Sequence, residues 1–208
     1  TLRLLTLQQF ERASMLIMAC NEINLDEQIS TGEIGIGLWV GNGLTPNKLS
    51  EAKDYLQKSL EDPQFSLRNT KGTPCLLKFC PWCGSRLYEK DYVINENTRR
   101  MEIHCRNKDC MSNYFNDGTL PIHLIDDDIY ANKPTFIVST VDKFAQLPKN
   151  EQAAALFDRE HEAPNNPPEL IIQDEMHLIS GPLGSMVGLY ETAINHLCTT
   201  EDGIGPKI

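Results

Sequence analysis

The 208 residues contain no G-x4-G-K-[ST] stretch, the loop whose backbone N–H groups and lysine grip the phosphates of a nucleotide. "GIGLWVG" (Gly35–Gly41) and "GPLGS" (Gly181–Ser185) supply glycines without the lysine. This chain alone is therefore expected neither to bind ATP tightly nor to hydrolyse it. H-E-x-x-H is also missing, which removes the common zinc-protease reading. No apolar run approaches the ~18 residues of a membrane-spanning helix. No signal-peptide pattern of charge, apolar stretch and small-residue cleavage site precedes the first helix-like segment, so a cytoplasmic location without membrane contact is expected. Positive charge is scarce: 19 Lys/Arg face 29 Asp/Glu, a net charge of -10. That argues against a protein that merely coats nucleic acid, because the phosphate backbone rewards basic surface. A local groove is not excluded. The one basic region of any length, Cys75–Phe115, has seven Lys/Arg against five Asp/Glu. The start, "TLRLLTLQQFERA", and the end, "CTTEDGIGPKI", are both abrupt and predict a segment of a longer protein.

Cysteine is the residue present with a pattern. The chain has seven, an odd number that speaks against a disulfide framework. Four of them form "CPWCG" and "CRNKDC": Cys80-x2-Cys83, a gap of 21 residues, then Cys105-x4-Cys110. Two short loops that each offer two thiolates are how a tetrahedral Zn²⁺ site is usually built. The intervening "SRLYEKDYVINENTRRMEIH" has two strand-like runs around the turn-like Asn95-Glu96-Asn97. Gly84 suits the tight turn that aims backbone N–H groups at sulfur. Cys80, Cys83, Cys105 and Cys110 are thus expected to form a structural zinc ribbon. Cys75 and His104 are expected to be bystanders, and Cys20 and Cys198 core residues. Unligated buried thiols or a redox C-x2-C are the alternatives, and neither needs two closely spaced pairs.

Around this module, apolar strands alternate with helical patterns. "TLQQFERASMLIMACNEINL" is helix-like, "EIGIGLWVG" (Glu33–Gly41) a strand, and "LTPNKLSEAKDYLQKSLED" a helix with Thr45 as its cap and Pro46 in its first turn. "LIDDDIYANK" predicts a short helix or turn, with Asp126, Asp127 and Asp128 as a solvated cap. "PTFIVST" and "LIIQDE" predict buried strands, "VDKFAQL" and "EQAAALFDRE" helices, and Gly184–Cys198 a final amphipathic helix. The expected fold is α/β: a parallel sheet with helices on both faces and an inserted zinc ribbon. The expected divisions are 1–72, a ribbon at 73–122, and 123–208. In such sheets ligands bind at the carboxyl ends of strands, where Ser139-Thr140 and Asp174-Glu175 both fall.

"ELIIQDEMH" ends an apolar run in adjacent carboxylates. Asp174 is suited to hold Mg²⁺ and Glu175, turned the other way, to activate water. An acidic strand end entering a solvated loop reads the same, and His177 is what favours the catalytic pattern. Ser139 and Thr140 equally suit an N-cap of the next helix.

Taken together, "PTFIVSTVDKFAQLP" and "ELIIQDEMHLISGPLGSMVGLYETAI" resemble motifs Ib and II, the DExH box, of the first RecA-like domain of superfamily 2 helicases, a P-loop NTPase fold. Within it, "TLRLLTLQQFERA", "CPWCG" and "DEMHLISGPLG" look similar to the large helicase subunits of the DISARM phage-defence system. The resemblance implies an ATP-dependent nucleic-acid motor using Mg²⁺ and ATP. It implies Asp174 for Mg²⁺, Glu175 as base and His177 for coupling. Ser139, Thr140, Lys143 and Arg3 would contact a DNA or RNA strand, DNA being favoured. It further implies a partner in a second RecA-like domain elsewhere in the parent chain. Motif I and motif III are missing here. A non-enzymatic zinc-ribbon scaffold that binds nucleic acid or protein is the competing expectation.

Overall fold

The computed structural model describes residues 2–29, 32–62, 64–110, 118–158, 166–174 and 182–208, without the side chains of 2–4, 149 and 182–187. The described chain divides into two compact units, Thr1–Thr140 and Val141–Ile208.

The first unit opens with α1 (Leu2–Asp26). Phe10, Ser14, Ile17, Met18 and Asn21 are buried, at the three-to-four spacing of one helix face. The Asn21 side chain anchors the segment entering the sheet: it donates to the Ile34 carbonyl and accepts from the Ile34 N–H, each at 2.8 Å. The helix packs on β1 (Ile36–Trp39) and on β5 (Phe136–Ser139). β1 is the centre of a three-stranded parallel sheet, between β5 and the two-residue β4 (Ile122–His123). All four of its residues are buried, as expected of a parallel strand covered on both sides. The mixed α/β class and the parallel sheet expected from sequence are present, with helices flanking it.

α2 (Leu49–Glu61) begins later than Thr45. Glu51 accepts from the N–H groups of Asn47 and Lys48, which places the box carboxylate one turn into the helix. Thr45 is instead fully buried, its hydroxyl without a hydrogen-bond partner among the described residues. A short α3 (Phe65–Arg68) follows. The antiparallel hairpin is β2 (Tyr92–Asn95) with β3 (Arg100–Ile103), Asn95 opposite Arg100. Asn95 Oδ1 accepts from the N–H groups of Asn97 and Thr98 and holds the turn. The segment 73–122 contributes to the same core as the sheet. Cys80, Leu87, Tyr92, Met101 and Ile103 share one hydrophobic cluster with Phe10, Ile36 and Leu38.

α4 (Asp126–Asn132) overturns the expectation of a solvated acidic cap. Asp126 and Asp128 are 4% and 0% exposed. Tyr130 donates to Asp126 and accepts from Trp39 Nε1 at the end of β1. Asp127 accepts from the Leu49 N–H, capping α2 from a distance of 78 residues in sequence. Asp128 accepts from the Met101 N–H of β3 and pairs with His123. Three adjacent carboxylates therefore tie the sheet, α2 and the hairpin together. Their position in the first helical turn also suits the helix dipole.

The second unit holds α5 (Val141–Phe144), 3-10 turns at Leu147–Lys149 and Glu151–Phe157, and α6 (Pro182–Cys198). Phe157, Ile194 and Cys198 form its core, with Phe144, Leu147 and Ile171 against them. Among the described residues of "LIIQDE", 170–174, the expected strand is not formed. Leu170 makes a single parallel bridge to Lys207, and 171–174 are irregular. Leu170 and Ile172 are 61% and 74% exposed. An apolar run becomes a strand only where a ladder partner and covering layers exist, and the described residues offer this run only Lys207.

Candidate metal centre

The four cysteines singled out by spacing converge. One ligand atom from each of Cys80, Cys83, Cys105 and Cys110 lies within 4.8 Å of every other. Cys80 Sγ is 3.7 Å from Cys110 Sγ, and Cys83 Sγ is 3.5 Å from Cys105 Sγ. A tetrahedron with Zn–S bonds of about 2.3 Å has edges of about 3.8 Å, which these two separations approach. Four thiolates close the site, leaving no open position for substrate. Such a metal would hold the fold together and perform no chemistry.

Local sequence builds the cradle. Gly84 takes φ +71°, and its N–H bonds the Cys80 carbonyl at 2.9 Å. This left-handed position costs glycine little and turns the chain so that the backbone N–H groups of Trp82 and Cys83 point at Cys80 sulfur. The Asn107 N–H points in the same way at Cys105. Such donors stabilise bound thiolate. The hairpin carries the pairs to each other, because the Phe79↔Arg86 bridge and the β2–β3 ladder bring Cys80 and Cys105 back to one end.

The thiols are not equivalent. Burial raises Cys80 well above the ordinary thiol range, beyond what the Cys83 and Trp82 N–H groups recover. Burial likewise pushes Cys105 up to about 11. At Cys83 burial acts upward too. The Ser85 hydroxyl and N–H and the Asn107 side chain outweigh it and bring the group down to about 6. At neutral pH a Cys83 thiolate beside protonated Cys80 and Cys105 is what such close sulfurs give without a cation. A divalent metal offsets the repulsion and lets all four deprotonate.

The four-sulfur group includes neither Cys75 nor His104. Cys75 is buried in the core, pushed up to about 12 chiefly by burial. His104 faces the Gly118 carbonyl through Nδ1 and Glu102 through Nε2.

The other expected site residues are placed less completely. Asp174 is exposed in the irregular chain after the Leu170 bridge. Glu175 and His177 lie outside the described residues, and of Arg3 only the backbone, within α1, is described. Ser139 ends β5 opposite Trp39, and its hydroxyl donates to the Thr140 carbonyl. Both Ser139 and Thr140 are half-buried. Lys143 is 1% exposed. Sequence reasoning missed the buried His123–Asp128 pair. A five-residue separation across a strand end and a helix start gives no periodic signal that could have revealed it. Among the described residues no helix is long and apolar enough to cross a membrane.

No protein-family model matches the chain. Over 98% of its length the chain is 35% identical, across 239 aligned positions, to the DISARM protein DrmA of Bacillus paralicheniformis. It spans 21% of that protein's length. An identity of this size across nearly every residue makes the chain a relative of a DISARM protein.

Proposed function

We propose that this chain contributes part of an ATP-dependent nucleic-acid motor in phage defence, braced by a structural zinc centre. The observation that carries the reading is Asp174-Glu175-x-His177 in a chain related over almost its whole length to a DISARM protein. In this reading Asp174 holds Mg²⁺, Glu175 deprotonates the attacking water, and His177 couples the nucleotide to movement. Mg²⁺ would supply charge stabilisation at the phosphates. The loop that grips those phosphates would come from another part of the motor, since no G-x4-G-K-[ST] occurs among these 208 residues. Ser139 and Thr140, at the carboxyl end of β5, are the contacts proposed for a DNA or RNA strand, with DNA favoured. The proposed setting is the cytoplasm, with a second RecA-like domain as partner.

The test is Glu175→Gln in a protein that carries this segment together with a phosphate loop. ATP hydrolysis is expected to vanish while ATP binding persists. Near-normal hydrolysis would remove Glu175 from its role.

The missing phosphate loop also favours a second reading, a non-enzymatic zinc-braced scaffold. G-x4-G-K-[ST] in the coding sequence upstream of Thr1 would dispose of it.

A further inference from the structure

We propose that the outer face of the zinc-binding segment is a binding surface for single-stranded polynucleotide, formed by Phe79, Arg86, Tyr88 and Lys90. Phe79 is 60% and Tyr88 48% exposed, and Arg86 and Lys90 are exposed beside them. Phe79 and Arg86 face each other across an antiparallel bridge, framed by Cys80 N–H to the Ser85 carbonyl and Leu87 N–H to the Lys78 carbonyl. Residues directly opposite in such a pair project from the same face, with Cβ atoms about 5 Å apart. Tyr88 lies two residues beyond Arg86 in extended chain and so shares that face, while Leu87 between them is buried. The Arg86 guanidinium sits 5.4 Å from the Tyr88 ring centre and the Lys90 ammonium 5.7 Å from it.

Two rings and two cations on one face match the two needs of a single strand. Unstacked bases find aromatic platforms, and phosphates find positive charge between them. A duplex keeps its bases stacked on one another and cannot use the rings. Of the two adjacent acids, Glu89 and Asp91, the second does not cancel the charge. Asp91 is 2% exposed, accepts from the Tyr88 N–H at 2.8 Å, and is ion-paired to Arg106. This face also lies in the one locally basic stretch of a chain with net charge -10, so a polyanion is directed here by contrast with the rest of the surface. The metal cradle holds the turn that carries Phe79 and Arg86, which keeps the platform rigid.

The proposal deepens the nucleic-acid reading above but requires no ATP chemistry, so the two can fail separately. The test is fluorescence anisotropy on the zinc-loaded chain without nucleotide. Labelled single strands of DNA and of RNA, about 16 nucleotides long to cover a full site, are compared with a duplex and an acidic peptide. Single strands are expected to bind more tightly than duplex. Phe79→Ala and Tyr88→Ala should each weaken that binding about tenfold, and Tyr88→Phe should restore it. Lys90→Ala should lower the slope of log affinity against log salt by about 0.7. Unchanged affinity in both alanine variants, or a preference for the duplex or the peptide, would overturn the surface. The DNA and RNA arms show which strand it takes. Normal binding by the ring variants, in a parent protein whose Glu175→Gln form loses ATP hydrolysis, would remove this face and leave the motor standing.

Discussion

His123 Nδ1 lies 2.7 Å from Asp128 Oδ1, with the two side chains 4% and 0% exposed. The same carboxylate accepts from the Met101 N–H at 3.1 Å and from Asn132 Nδ2 at 2.9 Å. One buried group thus joins β4, β3 and α4. His123 and Met101 are buried and have no water to fall back on, so those two bonds are costly to leave unmade.

Asp128→Ala is therefore expected to destabilise the first unit by about 1–3 kcal/mol, the usual cost of leaving a buried donor unsatisfied. Asp128→Asn retains an acceptor for Met101 and should cost less. Urea denaturation followed by far-ultraviolet circular dichroism reads both. An unchanged midpoint for the alanine variant would show that the pair does not bear on stability.

The four converging sulfurs predict about one Zn²⁺ per chain by elemental analysis. Cys80→Ser and Cys105→Ser should each lose the metal. Both should also expose the 75–110 segment to protease, because among the described residues no alternative ligand stands within the cluster. Full stability with no bound metal would refute the centre. Cys75→Ser is the matched control: it lies in the core and outside the cluster and should keep the metal.

Gly37 gives a prediction about packing. A Cβ built there would meet Pro134 Cγ at 2.8 Å and Ile129 Cγ1 at 3.4 Å. Glycine at this point of β1 lets the connection from α4 to β5 lie directly on the sheet. Gly37→Ala should cost about 1–3 kcal/mol, as overpacking does. Gly41→Ala, whose Cβ would meet nothing within 4 Å, should be close to neutral. Equal thermal midpoints for the two variants would contradict this account.

The parts of this molecule that were legible in sequence are those whose signal is local. C-x2-C and C-x4-C around a hairpin-length gap specify a four-sulfur site because short loops have few ways to present two thiolates each. Asn95-Glu96-Asn97 marked the hairpin turn, which Asn95 closes with its own side chain. The apolar run at Ile36–Trp39 marked the central strand, since a strand buried on both faces has no polar alternation to display.

Tertiary structure decided what depends on distant partners. "DDD" at 126–128 is solvated or buried according to whether Leu49, Met101 and His123 arrive beside it, and they lie 78, 27 and 5 residues from their acidic partners. The two-residue β4 is too short to carry a pattern and exists only because β1 offers it a free edge. Leu170–Ile172 has the apolar sequence of a core strand yet stays largely exposed, because a strand is defined by its ladder and not by its own residues. Lys143 is a cation in a helix start by sequence and is buried in the fold. Residue type and spacing marked the four thiols that could hold a metal. Where each polar group meets water was settled only when chain segments far apart in sequence packed together.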